Sequence, residues 1–375
     1  MCNFDLAIIG AGASGLAAAI TAARAGERVL LLERMPRAGK KILVTGNGRC
    51  NLSNTHAAAH DYHNKHFATP SLQAFGAAEC EAFFESLGLA LHEDSEGRLY
   101  PRSNTAASVL DALRFGAQRA GAALRCDSPV EQLRVVNGGF LLNESIHAKR
   151  VILAAGGCAA PAHGSDGSGF ALLRSLGHSV IEPRPALVQI KCASPFPGML
   201  KGLRVRAAAQ IEHNGRVLRR SEGEILFTED GLSGIAAMEL SRDAQKNSIV
   251  ALDLLPEYSH AELTARLTAW QRACPDYSPA QRLSGLLPKR VAEAVTKADA
   301  HPKRFVFPVA GTRGFAHAQV TAGGADVRQF DPAMLQSRLI PGLFACGEVL
   351  DIHGGCGGFN LHWAWASGHR AGLAG

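Results

Sequence analysis

Short apolar runs and one helix of small residues alternate at the start of the chain. Asp5–Ile9 is an apolar run that ends at a glycine, which is typical of a buried parallel strand. Ala13–Ala25 has the composition of a tightly packed helix, and Gly26 follows where helices often end in a left-handed residue. A second apolar run, Arg28–Leu32, ends immediately before Glu33. The pattern predicts one complete βαβ unit.

The mixed pattern continues up to about Pro183. A polar, glycine-rich stretch follows the βαβ unit, and helical periodicity then returns twice. A hairpin comes next, and a further buried strand ends in a glycine pair. The predicted elements are a loop over Arg37–Asn54, helices over Leu72–Leu87 and Ala106–Ala120, a hairpin over Arg125–Phe140 with its turn at Asn137-Gly138, and a strand over Val151–Ala155 before Gly156-Gly157.

The pattern of apolar and polar residues changes after Pro183. Leu187–Leu255 consists of short alternating segments with turn signals, which predicts a β-rich insertion. Ser259–Ala300 is polar and helical, with interruptions at Pro275 and Pro288. An apolar pattern returns at the end of the chain, with a strand over Leu343–Ala345, then Gly347-Glu348, a glycine-rich loop and a helix over Trp363–Leu373.

Composition narrows the class of protein. The chain has 375 residues, of which 47% are hydrophobic, and no apolar run approaches the ~20 residues of a membrane span. Met1 leads directly into a strand with Asp5 before it, which is not a signal peptide, so a cytoplasmic location is expected. The nine cysteines form no CxxC pair, which argues against a disulfide framework or a structural zinc site. The net charge of +6 fits either an ordinary basic protein or a surface that meets phosphates.

The βαβ unit carries a GxGxxG pattern in the context that binds dinucleotides. The first glycine permits the tight turn, the second lets the backbone approach a pyrophosphate, and the third lets the helix pack against the strand. The N-terminus of the helix offers backbone N–H groups to phosphates, and the acid after the second strand is expected to bind ribose hydroxyls. The residues assigned to this site are Gly10, Gly12, Ala13, Ser14, Gly15 and Glu33.

Three later features favour FAD over a nicotinamide cofactor. A basic, glycine-rich loop follows Glu33, and the strand that ends at Gly156-Gly157 resembles the second FAD-contact strand of flavoproteins. The segment Gly342–Glu348 resembles the late strand whose acidic end meets the ribityl chain, an element that a nicotinamide dehydrogenase would not need. These features add Arg34, Lys40, Lys41, Ala155, Gly156, Gly347 and Glu348 to the predicted cofactor site.

The segment Gly39–Asn54, GKKILVTGNGRCNLSN, resembles the signature loop of the BaiN/RdsA family of NAD(P)/FAD-dependent oxidoreductases, some of which are labelled aminoacetone oxidase-like. Three positions depart from the usual family pattern: His362 stands where glutamine is usual, the acid of the segment Gly164–Gly169 is displaced, and Ile235 stands where many members have proline. Further matches follow in the family's order at Gly177-His178, Pro185–Val188, Leu226–Thr228, Gly231–Gly234, Leu287–Arg290, Val320–Gly324 and Gly357–Leu361.

The resemblance implies an α/β fold. A Rossmann-type FAD-binding domain would be built from both chain ends, with an inserted β-barrel and a small helical subdomain. The expected boundaries are 1–185 and 318–375 for the FAD-binding domain, 186–255 and 301–317 for the β-rich insertion, and 256–300 for the helical subdomain.

The flavin ring is expected beside the signature loop and the start of the last helix. The loop would contribute backbone donors and one guanidinium, and the positive end of the helix could stabilise a reduced, anionic ring. Reduction of a C=C bond also needs a proton donor. The ring-binding candidates are Thr45, Gly46, Gly48, Arg49, Asn51, Gly357, Gly358 and Asn360, and the candidate proton donors are Cys50, His353 and His362. No metal site is expected, because no further ligands converge on His353 and Cys356.

Three functions remain open at this point. The first is an NAD(P)H-dependent reductase of a polarised C=C bond, either in a steroid or bile-acid enone or in uridine of ribosomal RNA. The chain has no second GxGxxG, so NAD(P)H would visit the flavin only transiently. The second is an oxygen-using amine oxidase of the aminoacetone type, and the third is a non-catalytic redox-sensing flavoprotein. The partner would be a small molecule or RNA and not a membrane, and the sequence does not indicate the oligomeric state.

Overall fold

The structure, a computed structural model, describes residues 4–374 and divides into two compact units. The sheet unit comprises the residues up to Arg184 together with those from Val320 onward. The barrel unit comprises Pro185–Gln319. Among residues 4–374, no helix combines the length and the apolar character that a membrane span requires.

The strands are numbered in chain order. They are β1 (Phe4–Ile9), β2 (Val29–Leu32), β3 (Ser53–Asn54), β4 (Leu91–Glu93), β5 (Arg98–Pro101), β6 (Ala123–Arg125), β7 (Leu133–Val136), β8 (Gly139–Leu142), β9 (Ile146–Leu153), β10 (Val180–Ala186), β11 (Ile190–Cys192), β12 (Arg204–His213), β13 (Arg216–Phe227), β14 (Gly231–Ser233), β15 (Ile249–Asp253), β16 (Phe305–Thr312), β17 (Val320–Ala325) and β18 (Leu343–Ala345).

The α-helices are numbered in the same way. They are α1 (Ala13–Arg24), α2 (Lys65–Ala74), α3 (Ala77–Ser86), α4 (Ala106–Ala120), α5 (Ser168–Ser175), α6 (Phe196–Met199), α7 (Ile235–Ser241), α8 (His260–Ala273), α9 (Pro279–Leu283), α10 (Lys289–Lys297) and α11 (Phe359–Leu373).

The main sheet of the sheet unit has the order β6-β2-β1-β9-β8-β7, and β18 also pairs with β9. Strand β9 pairs with β1 along one edge, and its other edge is divided between two neighbours. Its first half pairs antiparallel with β8, for example Ala148 with Phe140, and its last three residues pair parallel with β18. The hairpin β7–β8 confirms the predicted turn at Asn137-Gly138. One long strand therefore joins the parallel core to an antiparallel flank.

Helix α1 packs between the sheet and α11 because its residues are small. Residues 14–23 of α1 are all buried, and Gly26 has the predicted left-handed conformation with φ +91°. On α11, a Cβ added at Gly368 would lie 2.3 Å from the carbonyl oxygen of Ser14. Only glycine permits this approach, so the first and last helices of the sheet unit are in close backbone contact.

The barrel unit confirms the predicted inserted β-barrel. Its six strands close in the order β11-β14-β13-β12-β15-β16, and β16 pairs again with β11. The apolar core of this unit includes Phe227, Phe305 and Phe307 from the strands. Leu263 of α8 and Val291 of α10 belong to the same core, so the polar helical segment packs its few apolar residues within the barrel unit.

Two predicted helix boundaries are wrong. The helix predicted over Leu72–Leu87 is two helices, α2 and α3, separated at Phe75-Gly76. Gly76 is extended and its N–H donates to Glu79 Oε2 at 2.9 Å, which begins a new helix at this point. The last helix begins at Phe359 and not at Trp363, so His362 lies inside the helix and not in a loop. The helix predicted over Ala106–Ala120 is confirmed.

Candidate cofactor and active site

Four parallel strands of the sheet unit end level with one another. Ile9 pairs with both Leu32 and Leu153, and Leu153 pairs with Ala345. The carboxyl ends of parallel strands form the usual ligand-binding edge of such a sheet. The residues that follow these four ends are Gly10, Glu33, Ala155-Gly156 and Gly347-Glu348. The structure therefore brings together predicted site residues from distant parts of the sequence.

The three glycines of the first turn differ in what surrounds them. A Cβ added at Gly15 would lie 1.9 Å from the carbonyl oxygen of Gly10, and one added at Gly10 would lie 2.5 Å from that of Ala154. These two glycines are required by the protein's own packing. Gly12 has an ordinary φ of −82°, and a Cβ there would meet nothing within 4 Å. Open space thus lies at the N-cap of α1, where no side chain caps the helix, and this fits a bound diphosphate.

Glu33 and Ser165 also fit a ligand at this edge. The Glu33 side chain is buried, and its two oxygens accept hydrogen bonds from the N–H groups of Ala11 (2.9 Å) and Met35 (2.8 Å). Each carboxylate oxygen retains a second lone pair for a ribose hydroxyl. Ser165 Oγ is buried and has no hydrogen-bond partner among residues 4–374, and a Cβ at Gly156 would lie 3.0 Å from it. Sequence reasoning did not select Ser165, although it lies in the segment Gly164–Gly169.

The three basic residues after β2 that were predicted to bind the cofactor differ in their ion-pair partners. Lys41 Nζ lies 2.7 Å from Glu348 Oε2, while Glu348 Oε1 accepts a hydrogen bond from the N–H of Thr321 at 2.8 Å. This pair joins the signature loop to the segment after β18. Arg34 is paired with Asp166. Lys40 is partly exposed, and no residue in the described range forms an ion pair with it.

The signature loop and the start of α11 are held together by amide side chains. Asn51 donates to the carbonyl of Ser53 at 2.9 Å and accepts from the N–H of Gly358 at 3.1 Å, in the amide orientation that its neighbours require. Asn54 Nδ2 donates to the carbonyl of Gly357 at 3.1 Å. Asn360 accepts from the N–H of Gly354 at 2.8 Å. The two segments predicted to surround the flavin ring are therefore one connected structure.

The outer part of the signature loop satisfies several of its own donors. Thr45 Oγ1 donates to the carbonyl of Ile42 at 2.6 Å, and the N–H of Arg49 donates to the carbonyl of Gly46 at 3.2 Å. Gly48 is exposed, and a Cβ added to it would meet nothing within 4 Å. The Arg49 guanidinium lies over the ring of Tyr100, 4.8 Å from its centroid.

Two of the three predicted proton donors lie in the core. Cys50 is 0% exposed, and burial raises the pKa of its thiol to about 12 despite a hydrogen bond with Thr45. His362 is 1% exposed, its Nδ1 lies 2.8 Å from Ser53 Oγ, and burial lowers its pKa to about 4. Their burial favours a packing role for both side chains.

The third predicted donor belongs to a cluster that sequence reasoning did not find. The ring of His353 is stacked on that of His63 with centroids 5.0 Å apart, and His63 Nε2 lies 3.3 Å from Asp351 Oδ2. Asp351 is only two residues from His353 in the sequence, so this proximity to a predicted proton donor could have identified it as a site residue. His63 is far away in the sequence and stands among other exposed histidines, so nothing local distinguished it. No group in residues 4–374 has three side chains arranged to hold a metal ion.

Comparison with known proteins agrees with this architecture. A family model described as "HI0933-like protein Rossmann domain" matches residues 4–374. The chain is 37% identical to the 3-dehydro-bile acid delta(4,6)-reductase of Clostridium scindens, over 98% of each chain. It is 30% identical to the ribosomal RNA dihydrouridine synthase of Escherichia coli, over 97% of this chain and 96% of that one.

A solved structure shares the fold at low identity. The 3-ketosteroid-delta4-(5alpha)-dehydrogenase of Rhodococcus jostii superimposes with a TM-score of 0.51 at 18% identity, over 100% of this chain and 97% of that one. The family match covers almost the whole chain and both curated relatives match over nearly their full length. The chain therefore belongs to the HI0933-like family and is an FAD-dependent oxidoreductase.

Proposed function

We propose that the protein reduces a C=C bond conjugated to a carbonyl group, with FAD as its resident cofactor and NAD(P)H as the transient reductant. The observation that carries this proposal is the chemistry shared by its relatives. A delta(4,6)-reductase and a dihydrouridine synthase both saturate an electron-poor C=C bond, one in a steroid and the other in a pyrimidine. The substrate class that we propose is a steroid-like enone, because the bile-acid reductase is the more similar of these two relatives.

The residues at the strand ends fit FAD. The open N-terminus of α1 at Gly12 would hold the diphosphate, Glu33 the ribose and Ser165 a further polar atom. Glu348 and Lys41 would lie along the ribityl chain, and the start of α11 would direct its partial positive charge toward the ring. When bound, the flavin would accept a hydride from NAD(P)H and pass it to the substrate. The protein's part is to bind, orient and supply the proton.

Uridine in ribosomal RNA is the second candidate substrate, and the distribution of charge supports it. The barrel unit contains 18 lysines and arginines against 13 acids, so it carries five of the six net positive charges. Several of these basic side chains are neutralised within the unit, for example Arg206 by Glu222 and Arg304 by Glu212. These pairs leave the net excess of five positive charges unchanged, and that excess is small beside the many phosphate contacts that RNA-binding proteins make, so we place the small molecule first.

Glu33→Ala should weaken FAD binding by about 1–3 kcal/mol, or roughly 5- to 150-fold. The substitution removes an acceptor for the cofactor and leaves the N–H groups of Ala11 and Met35 unpaired. The affinity is measured by titrating apoprotein with FAD and following flavin fluorescence. Glu27→Ala is the matched control, because Glu27 precedes β2 and pairs with Arg150 at the opposite edge of the sheet. Equal affinities for the two variants would contradict the assignment of Glu33.

The proposed function is tested by separating the two half-reactions under anaerobic conditions. NADH, NADPH and aminoacetone are added in parallel to the yellow protein, and the expected result is bleaching by a nicotinamide and not by the amine. The reduced protein is then mixed with a 3-oxo-4,6-dienyl bile acid or with a ribosomal RNA transcript. Reoxidation by the dienone supports the proposal, and reoxidation by the RNA alone moves the substrate to uridine. Bleaching by aminoacetone alone would replace the proposal with an amine oxidase.

A further inference from the structure

We propose that His63, oriented by Asp351, is the proton donor of this reduction. This inference rests on the proposed function, because a proton is needed only if a C=C bond is saturated. Neither His63 nor Asp351 belongs to the glycine-rich turns or to the signature loop, and the two are brought together only by the fold.

Asp351 is a buried and firmly held carboxylate. Its side chain is 7% exposed, and its Oδ1 accepts a hydrogen bond from the N–H of Gly323 at 3.0 Å. Its Oδ2 accepts from Asn64 Nδ2 at 3.1 Å and lies 3.3 Å from His63 Nε2. Burial alone would raise the pKa of Asp351, but the hydrogen bond and the charge of His63 hold it below its usual value. The carboxylate is therefore ionised and accepts a hydrogen bond from His63.

His63 is fixed on one edge and one face but open on the other edge. Asp351 holds Nε2, the ring of His353 lies against one face at an angle of 13°, and the N–H of His63 donates to the carbonyl of His353 at 2.9 Å. Within residues 4–374, no group forms a hydrogen bond with Nδ1, and 49% of the side chain is exposed. A carboxylate that fixes one nitrogen and leaves the other open is the arrangement by which proteins orient an imidazole for proton transfer.

The cluster lies beside the segment proposed to contact the flavin ring. Tyr62, which precedes His63, donates from its hydroxyl to the carbonyl of Phe359 at 2.9 Å. A Cβ added to Gly354 would lie 3.2 Å from the same tyrosine ring. His353 itself directly precedes Gly354. These contacts place His63 next to the first turn of α11, whereas Cys50 and His362 are enclosed in the core.

The proton transfer balances in atoms and electrons. Saturation of the C=C bond adds a hydride to one carbon and a proton to the other. The hydride carries both electrons, and a bound flavin reduced by NAD(P)H would supply it. The proton leaves Nδ1 of the His63 imidazolium, and the neutral ring keeps its Nε2–H toward Asp351. Solvent then returns a proton to Nδ1 at the exposed edge, which restores the donor for the next turnover.

His63→Gln should leave FAD content and the rate of flavin reduction by NAD(P)H unchanged. Reoxidation of the reduced protein by the dienone probe should slow by about 10²- to 10⁴-fold, the usual contribution of a general acid. His60→Gln is the matched control: His60 is on the same segment and lies 3.5 Å from Asp61, but its side chain is 76% exposed. Reoxidation of the control should proceed at the wild-type rate. If the wild type is reoxidised and His63→Gln is equally fast, the inference is wrong and the proposed function stands. If the dienone and RNA probes fail to reoxidise the wild type, both are wrong.

A second measurement tests, without catalytic turnover, whether Asp351 orients the His63 ring. Nitrogen NMR of histidine-labelled protein at alkaline pH shows which ring nitrogen of His63 carries the proton. The His63 signals are assigned as those that disappear in His63→Gln. The wild type should have the proton on Nε2. In Asp351→Asn, the amide presents a donor to Nε2, so the proton should move to Nδ1 and reoxidation should slow as in His63→Gln. A wild-type ring with its proton on Nδ1 would contradict the proposed orientation whatever the rates.

Discussion

Gly12→Val should abolish FAD binding while the apoprotein stays folded. The backbone at Gly12 has a φ of −82°, which valine adopts without strain, and a Cβ there meets no protein atom within 4 Å. The added side chain would instead occupy the open space at the N-cap of α1, where the diphosphate must approach the backbone. The expected result is colourless protein whose circular dichroism and thermal midpoint equal those of wild-type apoprotein.

Gly15→Val provides the contrast. A Cβ at this position would lie 1.9 Å from the carbonyl oxygen of Gly10, so the helix and the first strand would be forced apart. This variant should lose both the cofactor and the fold, whereas Gly12→Val should lose only the cofactor. A yellow Gly12→Val protein would show that the diphosphate does not bind at this turn. An unfolded one would show that Gly12 is needed by the protein itself.

His362→Gln should reduce the loss of stability that the protein suffers on acidification. Burial lowers the pKa of His362 from 6.5 to about 4, so in this pH window the unfolded chain binds a proton that the folded protein does not. Stability therefore falls as the pH decreases from about 6.5 toward 4, at up to 1.36 kcal/mol per pH unit. This one side chain costs about 2 kcal/mol between pH 7 and pH 5. Glutamine cannot take up that proton and can still hydrogen-bond with Ser53.

The measurement is urea unfolding of the apoprotein at pH 7 and pH 5. The loss of unfolding free energy between the two pH values should be about 2 kcal/mol smaller in His362→Gln than in the wild type. His60→Gln removes an exposed histidine, whose hydration differs little between the folded and unfolded states, and should behave as the wild type does. An equal loss in the wild type and in His362→Gln would mean that His362 binds its proton over the same pH range in the folded and the unfolded protein.

The elements that could be predicted from the sequence are those whose structure depends on residues close together in the chain. The βαβ unit follows from two apolar runs, a small-residue helix and the spacing of Gly10, Gly12 and Gly15. The hairpin follows from one Asn-Gly turn. The barrel could be predicted as a class of structure, but its closure depends on the pairing of β11 with β16, two strands far apart in the chain. No local pattern specifies that partner.

The residues of the candidate site also divide into those that a local sequence pattern identifies and those that only long-range contacts bring into the site. Gly10, Glu33 and Gly347 could be selected because each follows an apolar strand, and parallel strands bring their carboxyl ends together. His63 could not be selected, because its importance comes from contact with Asp351 across the fold. The glycines before His362 conceal the start of α11, so the sequence predicts a loop at His362. With the helix beginning at Phe359, its side chain falls on the buried face.

The division of β9 between two neighbours has a consequence during synthesis. Residues 151–153 pair with β18, which follows the whole barrel unit in the chain. At about 5–20 residues per second, the ribosome needs on the order of ten seconds to translate the intervening segment. Throughout that interval the apolar edge of β9 has emerged without its partner, and an unpaired edge of this kind is a template for intermolecular pairing. The nascent protein therefore exposes this short edge while the barrel unit is being made, and β18 covers it once it has been synthesised.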